Sequence, residues 1–253
     1  KTVKKFNPIY KGINSEIIIV ALKVSESIKM VNNSYHALKV CFANEVGNIC
    51  QAMGIDSNKV MELFVKDTQL NISPKYFRPG FAYGGSCLPK DLKAFQTIAS
   101  RKGVQSVLLD SISNSNEIQI QKAVKMIETT GNKKIGFVGV SFKEGTDDLR
   151  NSPAVTVISE LIRDGYDIKI FDKNVNSLIG ANRIYVGKEL PDLNNMLVDS
   201  IDDLLVNTSV IVLVHKYPDI LDKMKKVNNV KVIDLIGIQE LKDFTAYYKG
   251  ISW

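Results

Sequence analysis

In the stretch RPGFAYGGSCLPKDLKAF, Arg78 to Phe95, a cysteine follows a Gly-Gly pair by two residues and stands just before Lys90 and Asp91. A structural cysteine prefers an apolar run without ionisable neighbours, whereas a thiol at a glycine turn among charges is placed to react. A free thiol titrates near about 8.5, and a neighbouring cation or a helix amino terminus lowers that value. Lys90 offers the cation, and Pro89 suits the opening of a helix. The glycines Gly84 and Gly85 let the backbone approach a ligand closely. Cys87 therefore reads as a nucleophile, beside the plainer reading of a small apolar filler at a helix start. As a nucleophile it serves redox chemistry or, with His36 as base, a papain-like hydrolase, and the spacing does not choose between them. Cys41 and Cys50 fall within a helical pattern and are expected to fill the core, and His215, ending an apolar strand, reads as structural.

The elements that must position this stretch are legible from periodicity. Val24, Ile28, Val31, Tyr35, Leu38, Phe42, Val46 and Ile49 recur at steps of three and four, which predicts a helix over 23–52 that closes at Gly54. On its opposite side Lys29, Asn33, His36 and Asn44 share an arc of about 80°. That arc is either a solvated face or the wall of a polar cleft. Further helices are expected from Ser57 to about Val65, from near Pro89 to Lys102, and over about 111–130. From 133 onward apolar runs (KKIGFVGVSF, DIKIFD, SVIVLVH, VKVIDL) alternate with helical stretches, one with Ser152 as N-cap and Pro153 at its first position, others near 201–206 and 217–226. This alternation implies an α/β fold with a Rossmann-like, doubly wound parallel sheet. Ligands of such sheets bind at strand carboxyl ends, here SFKEGTDDLRNSP, with Lys143, Arg150 and a helix amino terminus as anion contacts. Gly136 and Gly139 form G-x-x-G and not G-x-G-x-x-G, so no full NAD site is expected in this half.

Composition narrows the function. The chain has 253 residues, 45% hydrophobic and 24% charged, with a net charge of +6 spread along its length. That mild excess suits a small anionic ligand and lacks the basic stripe of a nucleic-acid binder. The apolar runs are strand-sized, too short for a membrane span. Cys41, Cys50 and Cys87 form no C-x-x-C, which points to a reducing, cytoplasmic setting, and two distant histidines leave no metal site. The first methionine is Met30, so the chain reads as part of something longer. Residues 1–22 are then a linker or remnant of a preceding domain, 23–131 a helical domain, and 132–253 the α/β domain.

The active-site stretch resembles that of the nucleotide-sugar 6-dehydrogenases, the UDP-glucose/GDP-mannose dehydrogenase family. IKMVNNSYHALKVCFANEVGNI is similar to the family's central helix, VGVSFKEGTDDLRNSPAV to the start of its carboxyl-terminal domain, and the closing GISW to the GDP-mannose branch. The resemblance implies an NAD-dependent four-electron oxidation of a sugar C6 alcohol to a carboxylate. In it Cys87 is the covalent nucleophile, Lys29 and Asn33 stabilise the oxyanion, and Asp91 positions or activates water. It also implies sugar-nucleotide contacts at His36, Asn44, Lys75, Tyr76, Arg78, Phe81, Gly84 and Lys143, NAD contacts at Lys90 and Arg150, and a homodimer formed through an all-helical central dimerisation domain. The family's amino-terminal NAD-binding domain has no counterpart here, so this chain alone is expected to be inactive in turnover. A non-catalytic sugar-nucleotide-binding or dimerisation module is the alternative.

Overall fold

The structure, a computed structural model, describes residues 18–253 except 74, 77, 78, 176–185, 188, 189, 207, 228, 229, 246 and 253. The chain divides into two compact units that meet between Asn44 and Glu45. Helix α1, Leu22–Met53, runs through that boundary. In the first unit its apolar stripe is exposed at Val24, Ile28 and Leu38. Cys41 is exposed there too, contrary to its expected core role, because this part of α1 faces no core.

In the second unit Val46, Ile49 and Cys50 at the end of α1 are buried. Three helices follow: α2 (Ser57–Phe64), α3 (Leu88–Arg101) and α4 (Val107–Glu128). Asp56 caps α2 by accepting from the Asn58 and Lys59 backbone N–H groups. Helix α4 begins earlier than the periodicity alone predicts, and a distant carboxylate explains why. Glu45 accepts from the N–H groups of Leu108 at 2.6 Å and Leu109 at 3.0 Å, satisfying donors that the Ser106 hydroxyl leaves uncapped. A negative charge there also complements the helix dipole.

The α/β part carries five parallel strands: β1 (Lys134–Val138), β2 (Asp167–Phe171), β3 (Val210–Leu213), β4 (Lys231–Asp234) and β5 (Tyr248–Gly250). Their order in the sheet is β2-β1-β3-β4-β5. Strand β5 was not legible in advance, being three residues long and without an apolar run. Helix α5 (Pro153–Arg163) connects β1 to β2, α6 (Leu193–Met196) and α7 (Ile201–Val206) connect β2 to β3, and α8 (Ile220–Met224) connects β3 to β4. The interior strands are buried almost throughout because both faces are covered. Side chains alternate between two cores. Ile135, Phe137, Val210 and Val212 pack with α4 and α5. Val138, Ile211, Leu213 and Val232 pack with α7 and α8 on the other face. The connection leaving β1 thus lies on one face and that entering β3 on the other. Between the carboxyl ends of β1 and β3 this reversal opens a crevice.

Glu45→Ala is expected to lower the stability of the second unit by about 1–2 kcal/mol in urea unfolding. Glu45→Gln, which keeps an acceptor, is expected to cost less.

Candidate active site

A cleft of about 320 Å³ occupies the β1/β3 crevice. Phe81 and Ala82 of the cysteine segment form one wall; the residues from Ser141 to Glu144, the head of α5 and the stretch from Val214 to Lys216 form the others. Two expected contacts, Phe81 and Lys143, therefore lie here. Pro153 sits at the helix start as read from sequence. Ser152 holds the N-cap position, but its hydroxyl donates to the Val140 carbonyl at 2.7 Å and not back to its own helix. The hydroxyl ties the loop after β1 to the head of α5, and the expected side-chain cap is not made.

The cysteine segment is docked on this α/β framework by its backbone. A Cβ on Gly84 would lie 2.2 Å from the Asn151 carbonyl oxygen, and one on Gly85 would lie 2.6 Å from the Phe142 ring. Gly85 also has φ +88, a conformation that glycine adopts without strain. These glycines therefore serve close approach to the protein itself; the expected close approach was to a ligand. Side-chain amides then hold the segment. The Tyr83 N–H donates to Asn116 Oδ1 at 2.9 Å and Asn116 Nδ2 donates to the Tyr83 carbonyl at 3.0 Å. Gly85 and Asn151 exchange a second such pair, N–H to O at 3.3 Å and Nδ2 to O at 3.1 Å. Gln119 Nε2 donates to the Gly80 carbonyl at 2.6 Å. Sequence reading missed all three residues. The available signal was an amide pair three residues apart, Asn116 and Gln119, on a helix that packs into the core. Asn151 was hidden because its left-handed φ of 48 shows only in three dimensions.

Cys87 is exposed, at the N-cap position of α3 with Pro89 in the first turn. The Ser86 hydroxyl lies 3.8 Å from its sulfur. Lys90 is paired with Asp91 at 3.4 Å, both exposed, so its charge is shared with that carboxylate and not reserved for the thiol. Arg150 grips Asp148 through Nε at 2.8 Å and Nη2 at 2.7 Å. Those hydrogen bonds hold the Asp148 carboxyl below its usual range. Lys75 and Tyr76 are exposed in a turn, Tyr76 with φ 65. Lys29, Asn33 and Asn44 are exposed on α1 in the first unit. The side chain of His36 and the whole of Arg78 lie outside the described residues. Cys87, Asp91, Phe81, Gly84, Lys143 and Arg150 all belong to the second unit.

Beneath the cleft lies a polar knot that sequence reading also missed. Asp172, just after β2, accepts at Oδ2 from the Val140 N–H at 2.9 Å, the Ser141 N–H at 3.1 Å and the Ser141 hydroxyl at 3.2 Å. Its Oδ1 accepts from the Asn174 N–H at 3.0 Å and the Tyr217 hydroxyl at 3.2 Å. Backbone N–H groups after the first strand are what cradles a pyrophosphate in dinucleotide folds. Here an internal carboxylate takes them, and this domain does not fit NAD at that position. His215 is buried beside the knot, and Gly139, with φ +97, leaves room for it: a Cβ there would meet the imidazole at 2.4 Å. Burial pushes the His215 imidazole below its ordinary value against the opposing pull of Asp172, and pushes the Tyr217 phenol well up. Among the described residues no cluster of three or more histidine, cysteine or carboxylate side chains could hold a metal ion, and no helix is long and apolar enough to cross a membrane.

A doubly wound sheet with a crevice at its switch point, and a cysteine segment docked against it, defines a nucleotide-type α/β protein with an adjoining helical region. Residues 23–118 match the central domain of the UDP-glucose/GDP-mannose dehydrogenase family, and residues 136–240 match that family's UDP binding domain. The chain belongs to this family. It is 41% identical over 248 residues, 97% of its length, to GDP-mannose 6-dehydrogenase of Pseudomonas aeruginosa, and spans 57% of that relative. A putative UDP-glucose 6-dehydrogenase of Bacillus subtilis is 37% identical over 168 residues, 65% of this chain and 39% of the relative. The crystal structure of a ternary complex of the Pseudomonas aeruginosa GDP-mannose dehydrogenase superposes with a TM-score of 0.90 at 40% identity, covering 100% of this chain and 58% of that one.

Gly84→Ala is expected to cost about 1–3 kcal/mol, since backbone must move to admit the methyl, and to speed proteolytic cleavage of the cysteine segment. The pH dependence follows from His215. Its folded value lies below the model value of 6.5, so the unfolded chain takes up the proton first, and stability present above about pH 6.5 is lost as pH falls below it. Thermal melts from pH 8 to 5 check this, with a smaller acid loss expected for His215→Gln.

Proposed function

We propose that this chain is the substrate-binding and covalent-catalysis portion of a nucleotide-sugar 6-dehydrogenase, most similar in character to the GDP-mannose branch. The observation that carries the reading is the docking of the Cys87 segment on the wall of the β1/β3 cleft, which brings a nucleophile and a nucleotide-sized crevice into one compact unit. Similarity to GDP-mannose 6-dehydrogenases over nearly the whole chain supports the nucleotide. In this assignment residues 23–131 form the central domain, 132–253 the nucleotide-binding domain, and 1–22 the lead-in from a preceding domain.

In the proposed chemistry Lys143 and the head of α5 bind the diphosphate, with Arg78, Lys75, Tyr76, His36, Asn44, Phe81 and Gly84 completing the sugar-nucleotide contacts. The Cys87 thiolate adds to the C6 aldehyde, its sulfur bonding to carbon as the carbonyl oxygen takes the charge. Lys29 and Asn33 stabilise that oxygen. Loss of a hydride from C6 leaves a thioester. Water, oriented by Asp91, attacks it, releasing the carboxylate and the thiolate. NAD, when bound, supplies the oxidising power, one hydride at the alcohol stage and one at the thiohemiacetal. Its pyrophosphate cradle is not among the residues described, and Lys90 and Arg150 reach it only as cations already braced by Asp91 and Asp148. The exposed stripe of α1 at Val24, Ile28 and Leu38 supports homodimerisation along that helix.

Titration calorimetry with GDP-mannose, UDP-glucose and NAD⁺ is the primary test. Selective GDP-mannose binding with little response to NAD⁺ is expected, and a preference for UDP-glucose would transfer the chain to the other branch. In the active enzyme containing this chain, Cys87→Ser is expected to abolish uronate formation, and uronate production at the full rate would overturn the covalent route.

A further inference from the structure

His215 is in contact with two acceptors. Its Nε2 lies 3.0 Å from the Ser141 carbonyl oxygen, which can only accept, so Nε2 carries the hydrogen. Its Nδ1 then bears a lone pair and lies 3.5 Å from Asp172 Oδ2. That nitrogen is buried and has no hydrogen-bond partner. In a neutral ring two electron-rich atoms face one another, an arrangement that a single proton would turn into a charge-assisted contact. Burial alone holds the proton off, opposing Asp172, the Ser141 carbonyl and Glu144, which all favour it. The charged and titratable neighbours are Asp172 from the end of β2, Glu144 from the loop after β1, and the Tyr217 ring at 6.2 Å. His215 also lines the cleft, with Lys143, Lys216 and Glu144. Two ammonium groups and one carboxylate leave that wall one charge short of matching a doubly charged pyrophosphate diester.

We propose that His215, set against Asp172, is the proton-linked group of the cleft: a nucleoside-diphosphate sugar binds together with one proton, taken up at Nδ1. The anion in the cleft offsets the burial cost of the imidazolium, and the new Nδ1–H donates to Asp172. Both ring nitrogens then donate, pinning the Ser141 carbonyl and the carboxylate that orders the loop after β1. This rests on the reading of the cleft as a nucleotide-sugar site.

The test is titration calorimetry of the whole chain with GDP-mannose, and with UDP-glucose in parallel, in buffers of differing ionisation enthalpy between pH 6 and 8. Both ligands carry a pyrophosphate diester with no proton of its own titrating near neutrality. The expected result is net uptake approaching one proton, with affinity rising up to about tenfold per unit fall in pH across the linked window. His215→Gln is expected to abolish the uptake while still binding. Should that variant fold poorly, nitrogen NMR of the wild-type chain, with only two histidines to resolve, reads the same event: saturation moves Nδ1 of His215 from the unprotonated to the protonated range. Binding without uptake, or uptake that persists in His215→Gln, would overturn the linkage and leave the nucleotide reading intact. Binding of neither ligand would overturn both.

Discussion

Everything at the candidate site depends on one close approach, that of the Gly84–Gly85 backbone to Asn151, Pro153 and Phe142. Without it Phe81 and Ala82 would not wall the cleft, and the cysteine would be carried on an untethered connection. The approach is steric permission, granted by two missing side chains. Amide hydrogen bonds from Asn116 and Asn151 then turn that permission into a fixed register. Each amide gives and takes a bond, as the next strand of a sheet would, so the segment's backbone is satisfied without belonging to any sheet.

The second constraint is Asp172. A parallel sheet of this order puts backbone donors at the carboxyl end of β1 whatever its sequence. In this protein they are neutralised from within, by a carboxylate from the neighbouring strand that also engages Tyr217. The phosphate-binding task then falls to the outer rim of the crevice, where Lys143 and Lys216 stand. A division between an internal anion below and an external anion above is consistent with a domain that retains a dinucleotide-type sheet while lacking the glycine fingerprint.

Much of this was legible in the sequence. The 3.6-residue stripe fixed α1, Pro153 and Gly165 bracketed α5, and uninterrupted runs such as VIVL marked strands buried on both faces. The reactive segment stood out because glycine, cysteine and charge rarely share so short a span. What stayed hidden were relations between distant positions. Glu45 starts α4 from more than sixty residues away, Ser152 turns from its own helix to Val140, and Lys90 spends its charge on Asp91. Periodicity and spacing describe a residue's own element; they are silent on partners supplied by another. His215 is the sharpest case, an apparent strand end whose interest lies wholly in what faces its ring.

The amide clamps have a consequence for how such a segment diversifies. Asn116, Gln119 and Asn151 grip main-chain atoms at positions 80, 83 and 85, so the hold is indifferent to which side chains those positions, or their neighbours, display. The side chains at 81, 82, 83 and 86 can be exchanged while the mount stays the same, much as interchangeable bits fit one chuck. Descendants of this scaffold can therefore change the sugar or base they admit by altering a few display positions, with the nucleophile's anchorage inherited intact.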